Sequence, residues 1–180
     1  MLFKALLKKN ILLGVLFFML NNSLQAKAFF KMSPACLEAQ SLIYKLRLTE
    51  ASQILQEEQT KSPENQAIPW LQEYCLYIEL FISENETDYK NKQNQWKLLI
   101  KTVESKPFES PWFRFLLSDM YLHRASVRLK MNEPLSAGND IKVAHHFLKE
   151  NESRFPEFLP DNKNTGLVKA LFSAIPKSYS

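Results

Sequence analysis

The side chains best suited to acid–base or metal chemistry are the three histidines, His123, His145 and His146. Asp119 stands four positions before His123, so on a helix the carboxylate and the imidazole would share one face, as half of an acid–base pair requires. The sequence places no serine or cysteine nucleophile beside them. We therefore interpret Asp119 and His123 as a surface pair whose members satisfy each other.

The adjacent histidines His145 and His146 could hold a metal ion only with a third group. Neighbouring residues on a helix point about 100° apart, so the two imidazoles do not reach one ion by themselves. His146 and Glu150, spaced i and i+4, form a better pair but supply only two ligands. This pattern is typical of a solvent-facing helix, and we predict neither a metal site nor a cofactor site.

Motifs that mark common enzyme classes do not occur in the chain. It holds only three glycines, Gly14, Gly138 and Gly166, so neither a glycine-rich phosphate loop nor a dinucleotide-binding turn can be written. The GxSxG, HExxH and kinase motifs are also missing from the sequence. We predict that the protein is not an enzyme and assign no catalytic residue. The alternative left open is an envelope hydrolase or metal-dependent enzyme that uses the three histidines.

Residues 1–28 have the order of a secretory signal peptide. Lys4, Lys8 and Lys9 precede an uninterrupted apolar run at 11–20, and a polar stretch ends in Ala26-Lys27-Ala28, an A-x-A cleavage pattern. A membrane span needs about 20 apolar residues, twice the length of this run. We predict cleavage after Ala28, with a cut after Ala26 as the close alternative, and export to the periplasm or out of the cell.

Removing the leader changes the interpretation of the charge. The whole chain carries +4 and has a pI of about 9.0. Four lysines and no acidic residue belong to the leader, so the remainder has 19 basic and 19 acidic residues. The basic balance that would suggest a nucleic-acid partner is lost on export. We therefore predict a protein or peptide partner, no nucleic acid, and no transmembrane span after cleavage.

The two cysteines, Cys36 and Cys75, leave two possibilities open. Export to an oxidising compartment permits a disulfide, and both residues lie near the start of a predicted helix. Against a bridge, helix axes pack about 8 to 10 Å apart, whereas bridged Cα atoms lie within about 7 Å. Free cysteine is also a common small buried residue. A Cys36–Cys75 disulfide and two buried thiols therefore both remain possible.

The spacing of apolar residues predicts an all-α fold. Between the nine prolines, apolar residues recur at intervals of three and four rather than two. Ser33-Pro34 and Ser110-Pro111 each offer an N-cap followed by proline at the first helical position. The predicted helices cover 34–47, 49–61, 68–82, 86–105, 111–131, 135–151 and 165–175. Three of the links between them are so short that they predict three antiparallel helix hairpins.

The pattern of faces separates inner from outer helices. In the third predicted helix, Trp70, Tyr74, Tyr77 and Phe81 form one row, and a second apolar row runs beside it. Such a helix must be covered on most sides, and the start of the fifth is similar. The fourth and sixth carry single apolar stripes and are predicted to lie outside. An aromatic row at this spacing indicates a packed core.

Two segments carry the small–large–small spacing of a tetratricopeptide repeat. The first also has the closing proline of the repeat, and its residues are Ala39, Leu42, Ala51, Leu55 and Pro63. The second has only the spacing of the repeat's second helix, at Ala137, Ile141 and Ala144. The first hairpin lacks the aromatic residue and glycine of the repeat's first helix. With its leader, the chain resembles the secreted tetratricopeptide-like proteins of Bacteroidota, which implies stacked antiparallel αα-hairpins over 29–180.

The predicted last helix is apolar on nearly all sides, although the end of a helical array normally carries a polar face. In the proteins that the chain resembles, further helical repeats follow a segment of this kind. We therefore expect the domain to be truncated at its C-terminal end. The alternatives are that this helix folds back onto its own array or docks a partner or a membrane surface.

The resemblance also implies a binding surface. In tetratricopeptide arrays the first helix of each pair lines the concave face, so polar residues of the third and fifth helices would lie there. These residues are Gln72, Glu73, Glu79, Arg114, Arg124 and Arg128. Alternating acidic and basic positions could bind an extended or helical peptide, although the same residues could simply be solvated. The expected function is a non-enzymatic binding or assembly scaffold of the cell envelope.

Overall fold

A computed structural model describes residues 27–175, and this part of the chain is all-α, as its apolar spacing predicts. The predicted signal peptide therefore lies outside the described residues except for its last two positions, and the predicted truncation point also lies outside them. The seven helices of the described part are α1 (Pro34–Tyr44), α2 (Leu48–Lys61), α3 (Ala67–Ser83), α4 (Glu86–Glu104), α5 (Pro111–Lys130), α6 (Pro134–Arg154) and α7 (Asp161–Ala174).

Local signals set where several helices begin. The Ser33 and Ser110 side chains accept hydrogen bonds from the backbone N–H groups of Cys36 and Trp112, each just before an N-terminal proline. Asn85 caps α4 in the same way. The last helix, α7, begins at Asp161, four residues before the predicted start, so the prediction was wrong there. Pro160 has a helical conformation and leads directly into the first turn, since proline is compatible with a helix start.

Three short links reverse the chain between α1 and α2, α3 and α4, and α5 and α6. Each contains one residue in the left-handed conformation, and none of them is a glycine: Leu46 (φ 58°), Glu84 (φ 51°) and Asn132 (φ 58°). A left-handed residue after the last turn ends a helix and turns the chain back. The two helices on either side of each link pack against each other.

The helices that the sequence predicts to be internal are α3 and α5. Helix α5 packs against α3, α4, α6 and α7. By contrast, α4 and α6 each bury one stripe, represented by Trp96 and Ile100 in α4 and by Ile141 and Leu148 in α6. These assignments confirm the expected division into inner and outer helices.

Buried apolar side chains form two cores. The first core draws its buried residues from α1 to α5, with Leu55, Leu71 and Leu116 among the fully buried ones. The second core lies between α5, α6 and α7 and includes Leu122 and Ile141. The aromatic row of α3 borders the first core as expected, with ring centroids of successive members 5.4 to 6.4 Å apart.

The segment before α1 is attached to the rest of the molecule. Phe29 forms an isolated bridge with Asn65, and the Asn65 side chain bonds both the N–H and the C=O of Lys31. The Phe30 ring stacks on Trp112 at 4.4 Å. Within residues 27–175, no helix combines the length and the hydropathy that crossing a bilayer requires.

Candidate functional site

The most concentrated chemistry of the described residues is a buried cluster between α3 and α5. Helix α3 supplies Glu73, and α5 supplies His123 and Asp119 one turn apart on its facing side. Glu73 Oε2 lies 2.9 Å from Nδ1 of His123, and Asp119 Oδ2 lies 3.5 Å from Nε2 of the same ring. The imidazole is thus held between two carboxylates. We call Glu73, Asp119 and His123 the histidine cluster.

The cluster is sealed from solvent. Glu73 and Asp119 are 0% exposed and His123 is 4% exposed. The rings of Tyr74 and Tyr77, in α3, cover one side of the imidazole, at centroid distances of 5.1 and 4.2 Å. Burial raises the pKa of Tyr74 to about 12, so this covering ring is neutral at physiological pH.

Each carboxylate of the cluster has a further donor. The Trp96 indole of α4 donates to Glu73 Oε1 at 2.7 Å, and the Trp70 indole of α3 donates to Asp119 Oδ2 at 3.0 Å. Lys163 of α7 donates to Asp119 Oδ1 at 2.8 Å. The lysine side chain is 59% exposed, so it connects the buried anion to solvent. Helices α3, α4, α5 and α7 are therefore all joined through this cluster.

Burial and the neighbouring charges shift the pKa values of the cluster in opposite directions. Burial raises the pKa of Glu73 despite the nearby imidazole. Burial alone would lower the pKa of His123, but Asp119 and Glu73 outweigh it and raise that pKa. Burial opposes ionisation of Asp119 too, yet His123 and Lys163 hold its pKa below the ordinary value. Burial therefore favours the protonated form of Glu73, whereas the neighbouring charges favour protonated His123 and ionised Asp119.

The expectation that Asp119 and His123 form a surface pair was wrong. The physical reason is that α5 is covered by four neighbouring helices, so the face that carries this pair is internal. The two carboxylates approach opposite nitrogens of the ring, so the three side chains do not converge on one point where an ion could sit. Among residues 27–175, no group of three or more His, Cys, Asp and Glu side chains could hold a metal ion.

A second buried charge lies between α5 and α6. Asp140 is 3% exposed and accepts hydrogen bonds from Arg124 Nε and Nη2, at 2.9 and 2.7 Å, and from Arg128 Nη1 at 2.7 Å. Arg128 Nη1 also donates to the Ser136 carbonyl. These two arginines, expected on a partner-binding face, bind a carboxylate of their own chain.

The other residues of the expected face are distributed over different environments. Glu73 is buried in the histidine cluster, so its placement on an open face was wrong. Arg114 is buried and donates to Glu150 of α6 at 3.1 Å, and Glu79 pairs with Lys92 of α4. Gln72 is only partly buried. The structure therefore brings Arg124 and Arg128 together around Asp140 but does not unite the six residues in one surface.

The other two histidines lie apart from His123. Both His145 and His146 are exposed on α6, as expected, and His146 Nε2 lies 3.4 Å from Glu150 Oε1. Glu150 is shared with Arg114 through its other oxygen. His145 borders a cleft of about 180 Å³ beside the start of α7, which we call the side cleft.

A larger, more apolar depression lies where the beginning of α6 meets the end of α7. Its volume is about 320 Å³, and we call it the end groove. It is lined by Pro134, Leu135, Gly138, Asn139, Lys142, Phe172 and Ile175. Leu135 is 62% exposed and Phe172 is 40% exposed. These side chains form an apolar surface on the outside of the second core.

Both cysteines are free and buried in the structure. The Asn65 amide approaches Cys36 Sγ at 4.0 Å. Burial raises the pKa of the Cys75 thiol to about 11. The disulfide between them is therefore not formed in this structure.

The sequence contains one signal for the histidine cluster. Glu73 is an acidic residue inside a helix that has apolar residues on most sides, so its carboxylate must meet a partner from another helix. The partner could not be identified, because residue spacing defines contacts within α5 but not the rotation of α5 against α3.

Comparisons with protein family models, with curated proteins and with solved structures find no match to this chain.

Proposed function

We propose that the protein is a non-enzymatic scaffold of the cell envelope that binds a protein or peptide partner. In this proposal residues 1–28 are a signal peptide that is removed on export, and the helix pairs form a tetratricopeptide-like array. The observation that carries the binding function is the end groove, because a cluster of large apolar side chains open to solvent is typical of an interaction surface.

The shape and chemistry of the end groove favour one kind of occupant. Leu135 and Phe172 supply apolar contact from two different helices, and the Ile175 side chain packs close to Gly138. An amphipathic helix binds such a groove through apolar residues on one face. Lys142 adds a positive charge at the groove, which favours a partner with acidic residues beside its apolar face.

The partner-binding surface of this proposal differs from the polar face of α3 and α5 that the resemblance implies. Arg124 and Arg128 already bind Asp140, so a partner would have to break two charged contacts to use them. The groove needs no such exchange, since its apolar side chains have no polar bonds to lose. We therefore place the partner on the outer end of α6 and α7 rather than along α3 and α5.

The alternative of an envelope enzyme would use the three histidines. His123 lies inside the histidine cluster, whereas His145 and His146 lie on the exposed side of α6. His145 borders the side cleft, whereas no histidine lines the end groove. Metal analysis of the purified protein tests this alternative, since one tightly bound zinc or iron per chain would favour it.

Binding at the end groove can be tested with a defined probe. The probe is a fluorescent amphipathic helical peptide of leucine and glutamate, and its binding is measured by anisotropy. We expect Leu135→Asp and Phe172→Asp each to weaken binding at least about tenfold, because each removes apolar contact from the groove. A peptide of the same pattern with lysine for glutamate should bind more weakly to the unchanged protein.

The matched control is Leu98→Asp, since Leu98 is an equally exposed leucine on α4, away from the groove. Equal binding to the wild type and to both groove variants would contradict the proposed site. The proposed export is tested separately: the N-terminus of protein recovered from the periplasm should be Phe29, or Lys27 for the alternative cut. Retention of the first 26 residues would contradict cleavage.

A further inference from the structure

The geometry of the histidine cluster determines how many protons the cluster must bind. Both ring nitrogens of His123 face carboxylate oxygens, Glu73 Oε2 at 2.9 Å and Asp119 Oδ2 at 3.5 Å. A neutral imidazole has only one N–H, so one of its nitrogens would turn a lone pair toward a carboxylate. The arrangement is satisfied only when an additional proton is present, either on the ring or on Glu73.

The surroundings cannot replace that proton. Glu73 and Asp119 are fully buried, so water does not screen them from each other. The Trp96 indole already donates to the other oxygen of Glu73, and the Trp70 indole donates to the same Asp119 oxygen that faces the ring. An unpaired buried charge has a high free-energy cost. Loss of the proton would therefore destabilise the contact between α3 and α5.

The groups that face His123 come from several helices. Helix α3 contributes Glu73, Tyr74 and Tyr77; α5 contributes Asp119; and α7 contributes Lys163. Among the described contacts, α4 adds only the uncharged indole of Trp96, through Glu73. With the additional proton, the charges of Glu73, Asp119, His123 and Lys163 sum to zero. Without it, these four side chains together carry one net negative charge, and the three buried ones carry two.

We propose that the histidine cluster is a proton-operated clamp: a proton shared by Glu73 and His123 holds α3 against α5, and its release at alkaline pH loosens that contact. The bond that breaks is the one between the proton and the Glu73–His123 pair, and the proton passes to water. The inference concerns the interior of the molecule and does not depend on the proposed binding function.

The directions in which the pKa values of the cluster are shifted agree with a loss of stability at alkaline pH. The pKa values of His123 and Glu73 are both raised, so the native state binds protons more tightly than the unfolded chain. The stabilisation from His123 is complete below pH 6.5, the ordinary pKa of histidine. It is lost as the pH rises through the raised pKa that His123 has in the native protein. Asp119 acts in the opposite sense, because its pKa is lowered and its contribution is lost only in strong acid.

The protein contains its own reporters of the shared proton. Of its three tryptophans, Trp96 donates to Glu73 and Trp70 donates to Asp119. The third, Trp112, packs against Phe30 and Phe158 and serves as the internal control. In the protein expressed from its full sequence, we expect the indole N–H NMR resonances of Trp70 and Trp96 to shift together, with one midpoint above pH 6.5.

Two outcomes of this titration would overturn the clamp. One is that the resonances of Trp70 and Trp96 stay unchanged up to about pH 10. The other is that they shift with separate midpoints, since a single shared proton predicts a common one. The measurement uses the unaltered protein and therefore does not depend on a variant that folds.

A variant then tests whether the proton controls stability. In Glu73→Gln the amide removes the buried charge, and its NH2 group can donate to the unprotonated ring nitrogen. The urea midpoint of the wild type should fall as the pH is raised from 6.5 to about 10, whereas that of Glu73→Gln should change much less. Glu79→Gln is the matched control on the same helix, because Glu79 is exposed and pairs with Lys92. A wild-type midpoint that is constant or rises over this range would also refute the clamp.

Discussion

Replacing Asp140 with asparagine tests how strongly the buried carboxylate joins α5 to α6. In the wild type, Asp140 accepts three hydrogen bonds from Arg124 and Arg128. An asparagine side chain has nearly the same shape but no charge, and its NH2 group would face a guanidinium. Asp140→Asn therefore leaves Arg124 without its counter-ion and Arg128 with only its longer contact to Glu133, at 3.9 Å.

The size of the effect follows from the burial of the three groups. Removing one partner of a buried ion pair costs about 3 to 5 kcal/mol. The Arg124 and Arg128 side chains are 14% and 17% exposed, so water compensates part of the loss and the low end, about 3 kcal/mol, applies. This corresponds to a loss of roughly a hundredfold in the folding equilibrium constant. For a chain of this size the melting temperature should fall by about 6 to 12 °C.

Urea denaturation followed by circular dichroism measures this change directly. The matched control is Glu152→Gln, which removes a carboxylate that pairs with Lys149 on the exposed surface of α6. The control should stay within about 0.5 kcal/mol of the wild type. If Asp140→Asn also stays within that margin, the two arginines do not depend on Asp140 and would be available to a partner after all.

Two further predictions concern the first core and the cysteines. Leu55→Ala should lower the free energy of unfolding by about 2 to 5 kcal/mol, since Leu55 is fully buried. Leu98→Ala on the surface should change it by less than about 0.5 kcal/mol. Equal effects of the two substitutions in urea denaturation would contradict the assigned core. A thiol reagent should find two free thiols per chain in the unreduced, unfolded protein and label Cys36 and Cys75 slowly in the native state at about pH 8, because both are buried. A count of zero would instead support the disulfide between them.

The helices were largely predictable from the sequence because their signals are local. The pairs Ser33-Pro34 and Ser110-Pro111 give the starts of α1 and α5 to the residue. Apolar periodicity separates the single stripe of α6 from the nearly complete apolar surface of α3. These features depend on neighbours along one helix, so the pattern of residues contains them.

The charge clusters could not be predicted because they depend on contacts between helices. Glu73 and His123 are 50 positions apart, and nothing in the spacing of either helix states that they meet. The same holds for Arg124 and Asp140. Residue spacing does not predict their contact, although they lie on α5 and α6, the two helices of one hairpin. The rotation of each helix about its axis decides these contacts, and the free energy of packing many side chains sets that rotation.

The division into two cores has a consequence for the motions of the molecule. Helix α5 is the only described helix that supplies buried side chains to both cores, so α6 and α7 can detach together at the loss of the Lys163 and Phe147 contacts, while the buried residues of the first core stay packed. Such a sub-global opening would let the backbone amides of α6 and α7 exchange with deuterium sooner than those of α3. The end groove exists only while α6 and α7 are docked, so a ligand bound there should slow this exchange.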